Sequence, residues 1–136
     1  MISLAVDTSV LIAILRAEPE SRPFASLCHA APSVVISTAT VHEAFCVVAK
    51  SRMVTGSVRL EALLSKLELE LIAFDAQHLA AARSAYARYG HGSGHPAQLN
   101  MGDCFAYALA KTRNVPLLFK GDDFIHTDIE PALKPA

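Results

Sequence analysis

Residues 2–16 read ISLAVDTSVLIAILR. The first five of these residues form a short apolar run, which predicts a buried β-strand over residues 2–6. Asp7 ends that run, and Thr8 or Ser9 can cap a following helix whose apolar side chains recur every three or four positions. This stretch therefore predicts a strand that ends at a carboxylate and leads directly into a core helix.

Strands and helices continue to alternate along the rest of the chain. Short apolar and β-branched runs predict further strands over residues 34–36, 69–74 and 116–119. Helical spacing and capping residues predict helices after the first strand and over residues 20–30, 38–49, 60–67, 77–89 and 101–113. A glycine-, histidine- and proline-rich stretch, residues 90–98, predicts a long loop. The pattern predicts a three-layer α/β/α domain with a mostly parallel central sheet of four to five strands.

Length and composition indicate a single domain over residues 1–136. Hydrophobic residues make up 52% of the chain and charged residues 18%, so the chain has enough apolar surface for one core and lacks the composition of disordered segments. Apolar runs are too short to span a bilayer, and Asp7 interrupts the apolar start without a basic region before it. The three cysteines lack the spacing of a zinc ribbon or a disulfide framework. We therefore expect a cytoplasmic protein without a membrane anchor.

The balance of charges sets limits on how the chain can bind a polyanion. Its formal net charge is -1 at pH 7, and its basic residues are scattered. A global attraction to a phosphate backbone is therefore not expected, and any contact with nucleic acid must be local. The basic residues predicted nearest the carboxyl edge of the sheet are Arg16 and Lys120, which are candidates for phosphate contacts.

Acidic residues occur where predicted strands end or where predicted helices begin. Asp7 and the pair Asp122–Asp123 follow strands, whereas Glu43 and Asp103 lie early in helices. In open parallel sheets, these positions meet in one crevice outside the carboxyl ends of the strands. Each acid alone is explained equally well by a turn or by the helix dipole. Clustered carboxylates, however, repel one another unless a cation or a proton relieves them.

A cluster of carboxylates favours a particular kind of cofactor and reaction. Hard oxygen ligands select Mg²⁺ or Mn²⁺, and magnesium commonly keeps several waters while it bridges to a phosphate of the substrate. Such a site suits phosphoryl transfer, because the cation neutralises charge that develops on the phosphate oxygens.

Four short segments, in their order along the chain, resemble those of PIN-domain endoribonucleases of the VapC toxin type. They are DTS at residues 7–9, HEA at residues 42–44, NMGDC at residues 100–104 and FKGDDF at residues 119–124. Any one segment is a weak signal, but together they cover nearly the whole chain. The resemblance implies an endoribonuclease that cleaves RNA phosphodiester bonds and is the toxin of a type II toxin–antitoxin pair.

The resemblance also implies particular site residues and partners. The catalytic set would be four acids: Asp7, Glu43, Asp103 and Asp122. Asp7, Asp103 and Asp122 would bind the Mg²⁺ or Mn²⁺, although Asp123 remains an alternative to Asp122. Ser9 and Thr38 would support the acids through hydrogen bonds. A small VapB-like antitoxin would place a basic residue in the acidic site, and the toxin would form a homodimer within that complex.

Other classes of protein remain as alternatives. A phosphatase of the haloacid dehalogenase type needs a second aspartate two residues after the first, where this chain has Ser9. A receiver-like magnesium-binding module would use Asp75 and Lys120. A non-catalytic interaction domain is the third alternative, and the intact set of acids disfavours it.

Several histidine and aromatic residues have simpler explanations than catalysis. His42 and Cys46 are four residues apart but are too few ligands for zinc, and His91 and His95 are expected to be solvated loop residues. Three tyrosines at helical positions are expected to pack in the core: Tyr86, Tyr89 and Tyr107.

Overall fold

Four strands and six helices follow one another along the chain. A computed structural model describes residues 2–134. The strands are β1 (Leu4–Val6), β2 (Val34–Ser37), β3 (Glu70–Ile72) and β4 (Leu117–Leu118). The helices are α1 (Thr8–Leu15), α2 (Ser21–Ala30), α3 (Thr38–Lys50), α4 (Gly56–Lys66), α5 (Ala76–Tyr89) and α6 (Met101–Arg113). The predicted alternation of strand and helix is confirmed.

The four strands form one parallel sheet in the order β3-β2-β1-β4. The central strand β1 pairs with β2, where Ala5 faces Val35, and with β4, where Ala5 faces Leu117. Because all four strands point the same way, their carboxyl ends lie along one edge of the sheet. The predicted three-layer domain is confirmed, with a sheet at the lower end of the expected strand number.

Strands β1, β2 and β4 are buried on both faces, whereas the edge strand β3 is largely exposed. Alternate residues of each strand point to opposite sides of the sheet. Leu4 and Val6 of β1 join the core formed with α1, α2, α3 and α4, whereas Ala5 joins the core formed with α5 and α6. The same alternation places Leu118 in the first core and Leu117 in the second. Within residues 2–134, no helix has the length and apolar character needed to cross a membrane.

Two elements differ from their predicted bounds. Strand β3 covers only part of the predicted range 69–74, because it lies at the sheet edge and pairs with β2 alone. Helix α4 was predicted over residues 60–67, but it begins about one turn earlier, with Gly56 as its first residue. A Cβ at Gly56 would lie 2.2 Å from Cγ1 of Val48. The glycine therefore lets the start of α4 lie close to α3 and does not break the chain.

Helical spacing predicts a buried face of α3 that includes Ala44, Val48 and Ala49, and the observed buried face is rotated from it. Ala44 and Val48 are buried, but Ala49 is exposed and Thr40 is buried instead. The reason is that α3 contacts α6 as well as α1 and α4. This additional contact turns the side of α3 that carries Glu43 toward the interior.

Candidate active site

Asp7 lies at the carboxyl end of β1 and caps the first turn of α1. Its Oδ2 accepts hydrogen bonds from the backbone N–H of Ser9 at 3.1 Å and from the Ser9 hydroxyl at 2.7 Å. Only 6% of the residue is exposed. The pKa of Asp7 is raised to about 6, chiefly by burial and also by the charge of Glu43, against the effect of the two Ser9 bonds. Asp7 is therefore a buried carboxyl group with a second acid close by.

Glu43 is half-buried on α3 and is fixed by residues of two other helices. The hydroxyl of Thr8 donates a hydrogen bond to Oε1 of Glu43 at 2.6 Å. On the other side, a Cβ built at Gly102 would lie 1.7 Å from Oε2 of Glu43. Thr8 or Ser9 was expected to cap α1, but Asp7 is the N-cap, and Gly102 had no predicted role. The contacts of Thr8 and Gly102 with Glu43 could not be predicted, because they join distant parts of the chain.

Asp103 combines a structural role with a place among the acids. Its Oδ2 accepts the backbone N–H of Asn100 at 3.0 Å, and its own N–H donates to Oδ1 of Asn100 at 2.9 Å, which completes a capping box. The pKa of Asp103 is raised to about 8, chiefly by burial, and the Asn100 bond opposes that shift. The charges of Asp7 and Asp123 contribute to the rise.

The two acids of the pair after β4 are both exposed but differ in their neighbours. Asp123 lies close enough to Asp103 for its charge to raise the pKa of Asp103. Asp122 lies in a turn, where its carbonyl oxygen accepts the N–H of Ile125 at 3.2 Å. Asp122 was the predicted fourth acid, with Asp123 as the alternative. The geometry favours Asp123, because this side chain lies beside Asp103.

The acids form a row of neighbouring pairs, in the order Glu43, Asp7, Asp103 and Asp123. Among residues 2–134, no three side chains of His, Cys, Asp or Glu converge closely enough to enclose a cation by themselves. Magnesium does not need such a cage, since it is usually held by one or two carboxylates together with waters and substrate phosphate. The buried, mutually repelling carboxylates supply the oxygen donors that Mg²⁺ or Mn²⁺ prefers, so the residues present fit such a cation.

One of the two predicted supporting hydroxyls contacts an acid. Ser9 bonds to Asp7, and its Oγ also accepts the backbone N–H of Lys120 at 3.0 Å, which ties the loop after β4 to the site. The expectation for Thr38 is wrong, because its Oγ1 accepts the N–H of Phe74 at 3.1 Å. Ser37 caps α3 through Ala39, so Thr38 lies in the first turn with its hydroxyl bonded to the segment after β3.

The basic residues near the site differ in their surroundings. The ammonium group of Lys120 lies 3.0 Å from Oε1 of Glu18 and 3.5 Å from Oε1 of Glu20. Arg16 is exposed at the end of α1. Lys120 is therefore engaged by two acids of the α1–α2 connection, and a role in phosphate contact would require it to exchange those partners.

The alternative motifs are not supported as sites. Asp75 follows the edge strand β3 and caps α5 by accepting the N–H of His78 at 3.0 Å, whereas a receiver module needs its aspartate after a central strand. The exposed pair His42 and Cys46 has its Nε2 and Sγ atoms 3.5 Å apart. In the loop, Nδ1 of His95 accepts the N–H of Ala97 at 3.1 Å.

Two of the three tyrosines pack as predicted. Tyr89 and Tyr107 are buried, and both donate to Oδ1 of Asp128. The expectation for Tyr86 is wrong, because 46% of this residue is exposed beside an apolar groove between α5 and the start of α6.

Fold and site together define a three-layer α/β domain with a row of acids along the carboxyl edge of its parallel sheet. The family model described as "PIN domain" matches residues 4–130. The chain therefore belongs to the PIN-domain family.

Relatives with curated names place the chain within that family. It is 41% identical over 132 residues to Ribonuclease VapC30 of Mycobacterium tuberculosis, a match that covers 97% of this chain and 100% of the relative. It is 42% identical over 130 residues to Ribonuclease VapC28 of the same organism, with 96% and 98% coverage. The chain is thus of the VapC type.

Solved structures share the fold at low sequence identity. VapC20 of Mycobacterium tuberculosis, described as a sarcin-ricin loop cleaving toxin, superposes with a TM-score of 0.70 at 15% identity over 94% of this chain and 99% of that one. VapBC2 from Rickettsia felis, bound to a DNA fragment from its promoter, gives a TM-score of 0.73 at 17% identity over 96% and 97% of the two chains. At this level of identity the likeness concerns the fold.

Proposed function

We propose that this protein is an endoribonuclease that hydrolyses RNA phosphodiester bonds with the help of Mg²⁺ or Mn²⁺, and that it is the toxin of a type II toxin–antitoxin pair. The observation that carries the proposal is the group of neighbouring acids formed by the buried Asp7 and Asp103, the half-buried Glu43 and the exposed Asp123. Whole-chain relatives named VapC ribonucleases support the choice of RNA as the substrate.

Each acid has a distinct part in the proposed reaction. Asp7 and Asp103, with an acid from the pair after β4, would hold the cation, and the contact between Asp103 and Asp123 favours Asp123 for that part. The cation would polarise the scissile phosphate and neutralise the charge that develops on it. The Glu43 carboxylate, fixed by Thr8, would orient the attacking water and accept its proton.

The proposed partner is a small VapB-like antitoxin. Structural neighbours include VapBC complexes from Rickettsia felis and Salmonella typhimurium, which supports a partner of this kind. An arginine of the antitoxin would form charge-assisted hydrogen bonds with Asp7 and Asp103 and relieve their repulsion without a metal. We further propose that the complex contains two copies of this chain and acts in the cytoplasm.

Cleavage by matched variants tests the proposal. Purified parent protein should cleave single-stranded RNA in Mg²⁺ or Mn²⁺ and lose that activity in chelator. Asp103→Asn should lower the rate by about a hundredfold or more, because it removes a ligand of the cation. Asp75→Asn makes the same change at an acid whose side chain caps α5, and it should cleave at the parent rate. Equal rates for a folded Asp103→Asn variant and the parent would refute the site.

A further inference from the structure

Two of the acids have chain neighbours that contact Glu43. Thr8 directly follows Asp7, and Gly102 directly precedes Asp103. The Thr8 hydroxyl lies 2.6 Å from Oε1 of Glu43, and the Gly102 backbone lies against Oε2. Each oxygen of the Glu43 carboxylate therefore contacts a residue that is adjacent in sequence to another acid.

We propose that Thr8 and Gly102 are positioning residues that fix the Glu43 carboxylate relative to Asp7 and Asp103; the role of Glu43 in cleavage rests on the proposed function. Thr8 acts by attraction, as a hydrogen-bond donor to Oε1. Gly102 acts by leaving space, because any side chain at this position would occupy the volume of the carboxylate.

The surroundings of Thr8 show that its hydroxyl is directed at Glu43. Thr8 is 6% exposed, and besides Glu43 its hydroxyl lies 3.3 Å from the carbonyl oxygen of Thr40, one turn earlier on α3. A hydroxyl has a single proton to donate. The Glu43 carboxylate is nearer than the Thr40 carbonyl and is charged, so it accepts the stronger hydrogen bond. A hydrogen bond to a carboxylate restricts its side-chain rotation, so Thr8 selects one orientation of Glu43.

The backbone of Gly102 does not itself demand glycine. Gly102 is buried in the first turn of α6. It does not have the left-handed backbone found at other glycines, such as Gly94 with φ +83°. Alanine is normally favoured over glycine inside a helix. The three nearest atoms to a Cβ at Gly102 all belong to the Glu43 carboxyl group, at 1.7, 2.4 and 2.7 Å. A side chain at position 102 would therefore displace the Glu43 carboxylate from its observed place.

A thermal double-mutant cycle tests the Gly102 contact without any assay of activity. The four proteins are the parent, Gly102→Ala, Glu43→Ala and the double variant, melted in chelator. We expect Gly102→Ala to lower Tm in the parent, and to raise Tm by about 3 °C in the Glu43→Ala background, where the space is free. If Gly102→Ala changed Tm equally in the parent and in the Glu43→Ala background, the proposed coupling between Gly102 and Glu43 would be wrong.

A second pair of variants tests the Thr8 contact. Thr8→Val keeps the β-branched shape but removes the donor, whereas Thr8→Ser keeps the donor. With RNA and Mn²⁺, we expect kcat of Thr8→Val to fall about tenfold or more with little change in KM, and Thr8→Ser to stay near the parent. Thr112→Val, a half-buried helical threonine that donates to the Ala108 carbonyl, is the matched control and should cleave normally.

The two experiments separate the inference from the proposed function. Equal kcat for Thr8→Val and the parent would overturn the role of Thr8. A parent protein that cleaves no RNA in any metal would refute the nuclease proposal, while the melting cycle would still decide whether Gly102 and Glu43 are coupled.

Discussion

At the scale of single residues, the buried acids make the protein sensitive to pH. Asp7 and Asp103 have pKa values raised to about 6 and about 8, first of all because both are buried. Between the ordinary carboxyl pKa and these raised values, the folded protein binds more protons than the unfolded chain. The free energy of unfolding of the metal-free protein therefore falls as the pH rises through that window.

Thermal melts in chelator at constant ionic strength measure this dependence. We expect the parent Tm to fall by several degrees from about pH 5 to about pH 8.5. Asp103→Asn should show a smaller fall, because asparagine carries no charge at either end of the range. A parent Tm that is constant or rises over this range would contradict the burial of two uncompensated acids.

The two adjacent aspartates after β4 differ in their contacts and should differ in their effect. Asp123 lies beside Asp103, whose pKa its charge raises, whereas the carbonyl oxygen of Asp122 accepts the N–H of Ile125 within a turn. We expect Asp123→Asn to reduce the rate of RNA cleavage about a hundredfold, and Asp122→Asn to leave it within a few fold of the parent. Rates at saturating Mg²⁺ measure the difference, with each variant serving as the control for the other. A larger loss of cleavage rate in Asp122→Asn than in Asp123→Asn would show that Asp122 is the fourth acid of the site.

At the scale of elements, the contact between α3 and α4 depends on Gly56. A Cβ there would meet Cγ1 of Val48 at 2.2 Å. We expect Gly56→Ala to lower the free energy of unfolding by about 1–3 kcal/mol, the usual cost of overpacking. In the Val48→Ala background the same change should cost much less, because the clashing methyl group is gone. Denaturant titrations of the four proteins give both values, and equal costs would show that Val48 does not set the limit.

At the scale of the whole molecule, the acids come together only when the sheet, α3 and α6 are assembled. Asp7 comes from the end of β1, Glu43 from α3, Asp103 from α6 and Asp123 from the segment after β4. The unfolded chain holds these acids apart, so a cation that bridges them binds the folded state and stabilises it by mass action.

We therefore expect millimolar Mg²⁺ or Mn²⁺ to raise the Tm of the parent by a few degrees. The increase should shrink in Asp103→Asn and persist in Asp75→Asn, whose altered side chain caps α5. Scanning calorimetry with and without metal measures the shift. Superimposable curves for the parent would argue against a carboxylate metal site.

The sequence by itself determined the layers and the order of the elements. Apolar runs of strand length, separated by helical spacing, specify alternating strands and helices because side-chain direction repeats every 2 residues in one and every 3.6 in the other. A local signal also placed the start of α6, where Asn100 and Asp103 form a capping box within four residues of chain. The acids Asp7, Glu43 and Asp103 could be chosen because strand ends and early helix turns meet at one edge of a parallel sheet.

Only the tertiary structure decided which side chains touch. Asp122 and Asp123 are adjacent in sequence, and the path of the chain after β4 determines which of them faces Asp103. The bond between Thr8 and Glu43 spans 35 residues, and the Gly102 contact joins two helices through the space that glycine leaves. Such contacts depend on how α1, α3 and α6 pack around the sheet, and no local pattern of residues encodes that packing.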